Sequence, residues 1–324
     1  MEKKKTFRMD MAAACIVLIL IPVMLYSGLR FLEDGVLFPK QTPAPVEKKT
    51  VTVNGVDHYP RQDITVMLVL GIDRMGEMEP SGSSRNEGKA DMVMLLVLDE
   101  TEKKCNIITL ERNTMLDISV PGAQGGESGT VYGQLALAYT YGTGMEDSCE
   151  TVSRTVSRFL LGAHIDHYVS MNMEAVIILN DAVGGVTVEV TDDFSGVDPT
   201  IGMGTVTLRG QQAIHFVRMG NDAADQSCVS RTERQEAYLD GFFKALKKTH
   251  WEAPETLTQA YSMASPYAVT DCSMTAVTKL MNCLAEYELD GIYSLQGEYG
   301  AEGAYYVADG ERRALALKLF FAEK

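Results

Sequence analysis

The sequence predicts an α/β (mixed α+β) fold, a central mixed β-sheet sandwiched by helices and preceded by one transmembrane helix. Three observations predict it. Ile64–Leu70, Met92–Leu98 and Cys105–Leu110 are short runs apolar on both faces, the pattern of buried strands. Helix-patterned segments follow them in alternation with further strands, which suits helices laid over a sheet. Ahead of all of these, Met11–Leu29 carries no charge and is closed by Arg30.

That apolar run spans roughly 28 Å as a helix, about one hydrocarbon core. Lys3, Lys4, Lys5 and Arg8 precede it, so the tail at 1–10 is expected in the cytoplasm and the chain beyond the anchor at 11–32 outside. No small-residue cleavage site follows, which points to an uncleaved anchor. Residues 33–62 read as a linker with Pro39, Pro43 and Pro45, ending in a small hairpin about Asn54-Gly55. The main domain is expected at 63–250. Residues 251–324 either complete the sheet or extend from it.

Within the main domain, residues 75–89 are a polar Gly/Ser-rich loop between the first two strands. The charged turn Asp99–Lys104 makes the second and third an antiparallel pair. Helices are expected at Asp147–Leu161, Asn172–Ala182, Gln211–Phe216 and Ser230–Lys248, and strands at His167–Met171 and Val186–Val190. Later come a helix at 273–287, a strand near 291–296 and a helix at 311–321.

With 29 basic against 44 acidic residues the net charge is −15, opposite to that of a general nucleic-acid binder. An anionic ligand must be held locally. The six cysteines, Cys15, Cys105, Cys149, Cys228, Cys272 and Cys283, include no C-x-x-C pair. Gly82–Lys89 is one residue too long for a P-loop, and no G-x-S-x-G elbow occurs. His164 and His167 sit where a helix gives way to a strand, which favours structural roles.

The chemistry gathers at strand tips. Val66–Ile72 ends in Asp73-Arg74, Lys89 and Asp91 open the second strand, and Arg112 follows the third. Arg218, Arg231, Arg234 and Gln235 lie farther along, with Arg231 and Arg234 on one helix face. Converging guanidinium forks suit a diphosphate. Asp73 and Asp91 are hard oxygen donors suited to Mg²⁺ (or Mn²⁺) beside a phosphate, or either is a general base. Taken singly, these arginines also read as surface ion pairs and these aspartates as turn residues.

In order, VMLVLGIDR at 66–74, KADMVMLLVLD at 89–99, ITLERNTM at 108–115, QLALAYTYG at 134–142, the segment 165–190, LRGQQAIHFVR at 208–218 and SRTERQ at 230–235 resemble the LytR-CpsA-Psr family. The resemblance implies a membrane-anchored, outward-facing phosphotransferase of a Gram-positive-type bacterium. Such an enzyme moves a glycopolymer, of teichoic acid or capsular polysaccharide type, from an undecaprenyl-pyrophosphate carrier to peptidoglycan. It implies a tunnel for the lipid, with the helices at 172–182 and 230–248 as walls or, equally, as core. It assigns Asp73 and Asp91 to the metal and acceptor activation. Arg112 joins them at the reacting phosphate, and Arg74, Lys89, Arg218, Arg231, Arg234 and Gln235 bind the pyrophosphate. Lys89, Asn113, Gly220 and Cys228 depart from the family pattern. Lys89, Asn113 and Gly220 leave open a catalytically reduced, polyprenyl-phosphate-binding or regulatory cell-envelope protein. A pyrophosphatase that transfers to water is a third alternative.

Overall fold

Ile64, Val66, Leu68, Leu70 and Ile72 face one side of their strand and Met67 and Val69 the other, and each set is buried in a separate core. Strand side chains alternate with period two, so a strand covered on both faces must be apolar at every position. The computed structural model describes residues 50–53, 55–122, 127–218 and 227–323. The expected tail at 1–10, the anchor at 11–32 and the first part of the linker lie outside the described residues. No helix among those described is long and apolar enough to cross a membrane.

In chain order the strands are β1 Val51–Val53, β2 Val56–Pro60, β3 Ile64–Ile72, β4 Ala90–Asp99, β5 Lys104–Leu110, β6 Met115–Pro121, β7 Glu127–Gln134, β8 His167–Met171, β9 Val186–Val190, β10 Gly204–Leu208, β11 Ala268–Thr270, β12 Glu288–Ser294, β13 Gly297–Tyr299, β14 Tyr305–Val307 and β15 Phe321–Glu323. The helices are α1 Glu146–Phe159, α2 Met173–Ala182, α3 Gln211–Arg218, α4 Ser227–Glu252, α5 Pro254–Ala264, α6 Met274–Glu286 and α7 Asp309–Phe320.

The central sheet is mixed, as expected, in the order β11-β8-β3-β4-β5-β12. β3, β4 and β5 form an antiparallel meander, while β8 and β12 join it in parallel. Val152 and Val156 of α1 and Leu319 and Phe320 of α7 cover one face. Tyr238, Leu239, Phe243 and Leu246 of α4, with Phe216 of α3, cover the other. Residues 251–323 complete the sheet, since β11 and β12 are its two outer strands.

One correction concerns the segment read as a linker. The hairpin about Gly55 forms as expected, with Val53 opposite Val56. It is not a free appendage, because β15 adds to β2 and makes a three-stranded sheet. Residues 51–60 belong to the fold because the far end of the chain returns to pair with them.

The β4–β5 turn is set by Asp99. Its Oδ1 accepts the amides of Thr101 and Glu102 at 3.0 and 2.7 Å, and its Oδ2 accepts from Arg61 at 2.5 Å. Burial pushes this carboxyl up, but the Glu102 amide, the Arg61 guanidinium and the Thr101 amide outweigh it and hold it below the ordinary value. A carboxyl depressed in the folded state contributes stability above its unfolded pKa and loses it as pH falls. The thermal midpoint is therefore expected to drop on acidification below about pH 4, and Asp99→Asn to flatten that drop. An unchanged acid slope in Asp99→Asn would refute this account.

Candidate active site

The strand order brings the charged tips to one end of the sheet. β3 and β5 run towards it and β4 starts from it, so Asp73, Asp91 and Arg112 share an edge. The Asp73 amide donates to the Lys89 carbonyl at 3.0 Å, closing the loop at its base. The register of β3 and β4 slips there. Gly71 pairs with Met92 and Ile72 with Ala90, which leaves Asp91 as the extra residue of a bulge. A bulge turns its residue out of the regular alternation, and this one aims Asp91 at Arg112. Arg112 Nη1 donates to Asp91 Oδ1 at 2.8 Å, and the Asp91 side chain is only 8% exposed.

A second pair stands at the same end. Arg218, the last residue of α3, lies 3.0 Å from Asp73 Oδ1, and both side chains are about two-fifths exposed. A pair so solvated contributes at most about 1 kcal/mol to stability. Its interest is the juxtaposition of a guanidinium with a strand-tip carboxylate 145 positions away. Gln235 of α4 donates to the Val217 carbonyl, next to Arg218, at 3.3 Å. Arg234 is buried and pairs with Asp192, just past β9, at 2.5 Å.

Two expected ligand-binding residues stand differently. Arg74 Nη1 turns back to the Glu79 carbonyl of its own loop at 3.1 Å. The Lys89 side chain is exposed. Arg231 lies on α4 one turn before Arg234, and its side chain lies outside the described part.

The loop at 75–89 is held at both ends. Asn86 Nδ2 donates to the carbonyls of Tyr139 and Gly142 and to Ser148 Oγ, and its Oδ1 accepts the Gly88 amide. The Arg85 guanidinium lies 3.9 Å from the centre of the Tyr141 ring. Near its start, Gly76 donates to Glu174 and accepts from Asn172, beyond the end of β8. Asn86 and Asp192 are the positions that motif reading passes over. The signal for Asn86 is a short amide in a Gly/Ser-rich loop, where such side chains bond backbone. Asp192 carries none, because its partner is 42 residues away.

Two of the cysteines are buried free thiols. Cys149 is fully buried, and burial pushes its thiol up to about 12, far from a reactive thiolate. Cys105 is likewise buried and pushed up to about 12. Asp73 and Asp91, on adjoining strand tips, are the carboxylates that could hold a cation here, and each is paired with an arginine. Hard carboxylate oxygens are donors of the kind Mg²⁺ takes.

The LytR_cpsA_psr family model matches residues 39–317. The chain belongs to the LytR-CpsA-Psr family. Its relatives in the family include the polyisoprenyl-teichoic acid–peptidoglycan teichoic acid transferase TagU of Bacillus mycoides, 25% identical over 278 residues, 84% of each chain. Biofilm regulatory protein A of Streptococcus mutans is 31% identical over 194 residues, 56% of this chain and 43% of that protein. The family member TagT, solved bound to LI-WTA, superposes with a TM-score of 0.59 at 21% identity, over 80% of this chain and 90% of that one. The family fold, helices on both faces of a mixed sheet, is the one described above. Among the departures from the family pattern, Asn113 sits beside Arg112, and its carbonyl accepts the Tyr305 amide at 3.0 Å. Gly220 and the Cys228 side chain lie outside the described part.

Proposed function

We propose that this chain is a membrane-anchored, extracytoplasmic phosphotransferase that moves a glycopolymer from an undecaprenyl-pyrophosphate carrier to peptidoglycan. The observation that carries this reading is the pairing of Arg112 with Asp91 and Arg218 with Asp73 at one sheet edge. The relative named as a TagU transferase supports the reaction class. The anchor, the outward orientation and contact with membrane lipid rest on the residues at 3–30.

Each arginine is balanced by an aspartate, so the site is ready to exchange partners. A diphosphate draws the guanidinium groups of Arg112 and Arg218 onto its oxygens, with Arg231, Arg234 and Gln235 behind them and Arg74 and Lys89 at the rim. The acceptor sugar hydroxyl then forms a bond to the phosphorus carrying the polymer. The bond from that phosphorus to the bridging oxygen breaks, and undecaprenyl phosphate leaves. Asp73, the more exposed carboxylate, takes the hydroxyl proton, and Asp91 keeps Arg112 aimed. Asp73 and Asp91 would hold Mg²⁺ or Mn²⁺, which would supply charge neutralisation on the phosphates.

The test is transfer from a lipid-diphosphate sugar to peptidoglycan oligomers by the purified full chain with Mg²⁺. Linked product is expected, and loss of product on chelation. Exposed Lys89 and the relative named as a regulatory protein favour the second reading, a polyprenyl-phosphate-binding regulator. A thermal shift with the lipid phosphate but no product from any donor would replace the first reading with the second. Release of free sugar phosphate would instead mark a pyrophosphatase.

A further inference from the structure

His167, Asp271 and Cys272 meet at the end of the sheet opposite the strand-tip aspartates. β8 enters at His167 beside Met67 and leaves at Met171 beside Gly71, about 13 Å farther on at strand rise. β11 runs antiparallel to β8 and delivers Asp271-Cys272 back to His167. One donor atom from each of the three side chains lies within 4.8 Å of the other two. His167 Nδ1 is buried, and among the described residues it has no hydrogen-bond partner. Asp271 Oδ2 lies 3.6 Å from it, outside hydrogen-bonding distance but within ion-pair range.

We propose that His167 Nδ1, Asp271 Oδ2 and Cys272 Sγ form a zinc site that clamps the β11–α6 connection onto β8. The donors decide the metal. An imidazole nitrogen, a thiolate and a carboxylate suit Zn²⁺, whereas Mg²⁺ and Ca²⁺ take oxygen ligands. Bonds of about 2.0–2.3 Å about a tetrahedral ion put donors roughly 3.5 Å apart, so the three need close by only about 1 Å. The thiolate and carboxylate balance the dication, and binding releases both the thiol proton and any proton on His167 Nδ1 to solvent. A fourth position is left for water.

The surroundings hold the donors in place. Asp271 Oδ1 accepts the Tyr168 amide at 2.9 Å, which turns Oδ2 towards His167. Thr270 Oγ1 donates to the Tyr168 carbonyl at 2.6 Å and accepts the Cys272 amide at 3.1 Å. Ser273 then caps α6 by accepting the Ala276 amide. Such outer contacts orient first ligands and tune affinity.

The test uses the full chain stripped with chelator and titrated with Co²⁺, then Zn²⁺. One Co²⁺ per chain with a thiolate-to-cobalt charge-transfer band is expected. Zn²⁺ should displace it and raise the unfolding midpoint, while excess Mg²⁺ should not displace it. Cys272→Ser should abolish the band, and His167→Gln and Asp271→Asn should each weaken binding about 10–100-fold, with Cys283→Ser as the control that retains it. Asp271→Asn keeps the acceptor for the Tyr168 amide, so it reads the site even if another variant folds poorly. No band at millimolar Co²⁺, or a band that survives Cys272→Ser, overturns the proposal. Neither result bears on the transfer reaction at the other end of the sheet.

Discussion

Arg112→Ala is expected to lower transfer by about 10³–10⁵-fold, the range seen when an arginine that neutralises a transferring phosphoryl group is removed. The reason is positional. Arg112 follows β5 directly, and the bulge at Asp91 fixes its guanidinium through a 2.8 Å contact. Arg112→Lys keeps a charge but loses the fork that spans two phosphate oxygens, and should recover only a small part of the rate. Asp91→Ala should fall nearly as far, since it frees the Arg112 side chain to leave its aim. The combined variant should be little worse than either alone, because residues acting as a unit are not additive. Single-turnover transfer from a lipid-diphosphate sugar measures all of these. Activity in Arg112→Ala within tenfold of the parent chain would end the assignment of this site.

Gly241→Ala is the second large effect, and it acts on the fold. A Cβ at this position of α4 would sit 2.6 Å from the Thr187 carbonyl oxygen and 2.9 Å from Val186 Cγ1. The helix lies directly on β9, and backbone cannot yield as a side-chain tip can. Alanine is the better helix former by about 1 kcal/mol, yet the overlap should win and destabilise by about 1–3 kcal/mol. For a chain of this size that is a midpoint lower by roughly 2–12 °C. Gly310, in α7, has nothing within 4 Å of a built Cβ. Gly310→Ala should therefore leave the midpoint level or raised. Equal midpoints for the two variants would show that α4 has room to move. Because α4 carries Arg234 and Gln235, transfer should fall with stability in Gly241→Ala.

Much of the sheet was legible because its signals are local. The apolar runs of β3, β4 and β5 announce strands buried on both faces, and the Asp99–Lys104 turn announces their antiparallel pairing. Asn172 caps α2 by accepting the Ala175 amide, and Gly184-Gly185 follows that helix, both readable in the sequence. The β6–β7 hairpin is not legible in the sequence, although Leu116, Ile118 and Val120 alternate. Its partner strand β7, ESGTVYGQ, is too poor in apolar residues to declare itself. Placing β11 and β12 at the sheet edges needed pairings with strands about 100 and 180 residues earlier.

The same division holds at the site. The sequence by itself determined which residues stand at strand tips, their charge, and their family pattern, since those follow from residue type and local spacing. Tertiary structure alone decided that Arg112 meets Asp91 while Arg218 meets Asp73, and that Arg234 turns to Asp192. It also decided that Arg74 bonds its own loop and that His167 finds Asp271 and Cys272. The physical reason is that an ion pair or a ligand set is chosen by distances of a few ångströms. Those distances depend on register, on one bulged residue and on the seating of a helix on a strand, and no window of neighbouring residues records them.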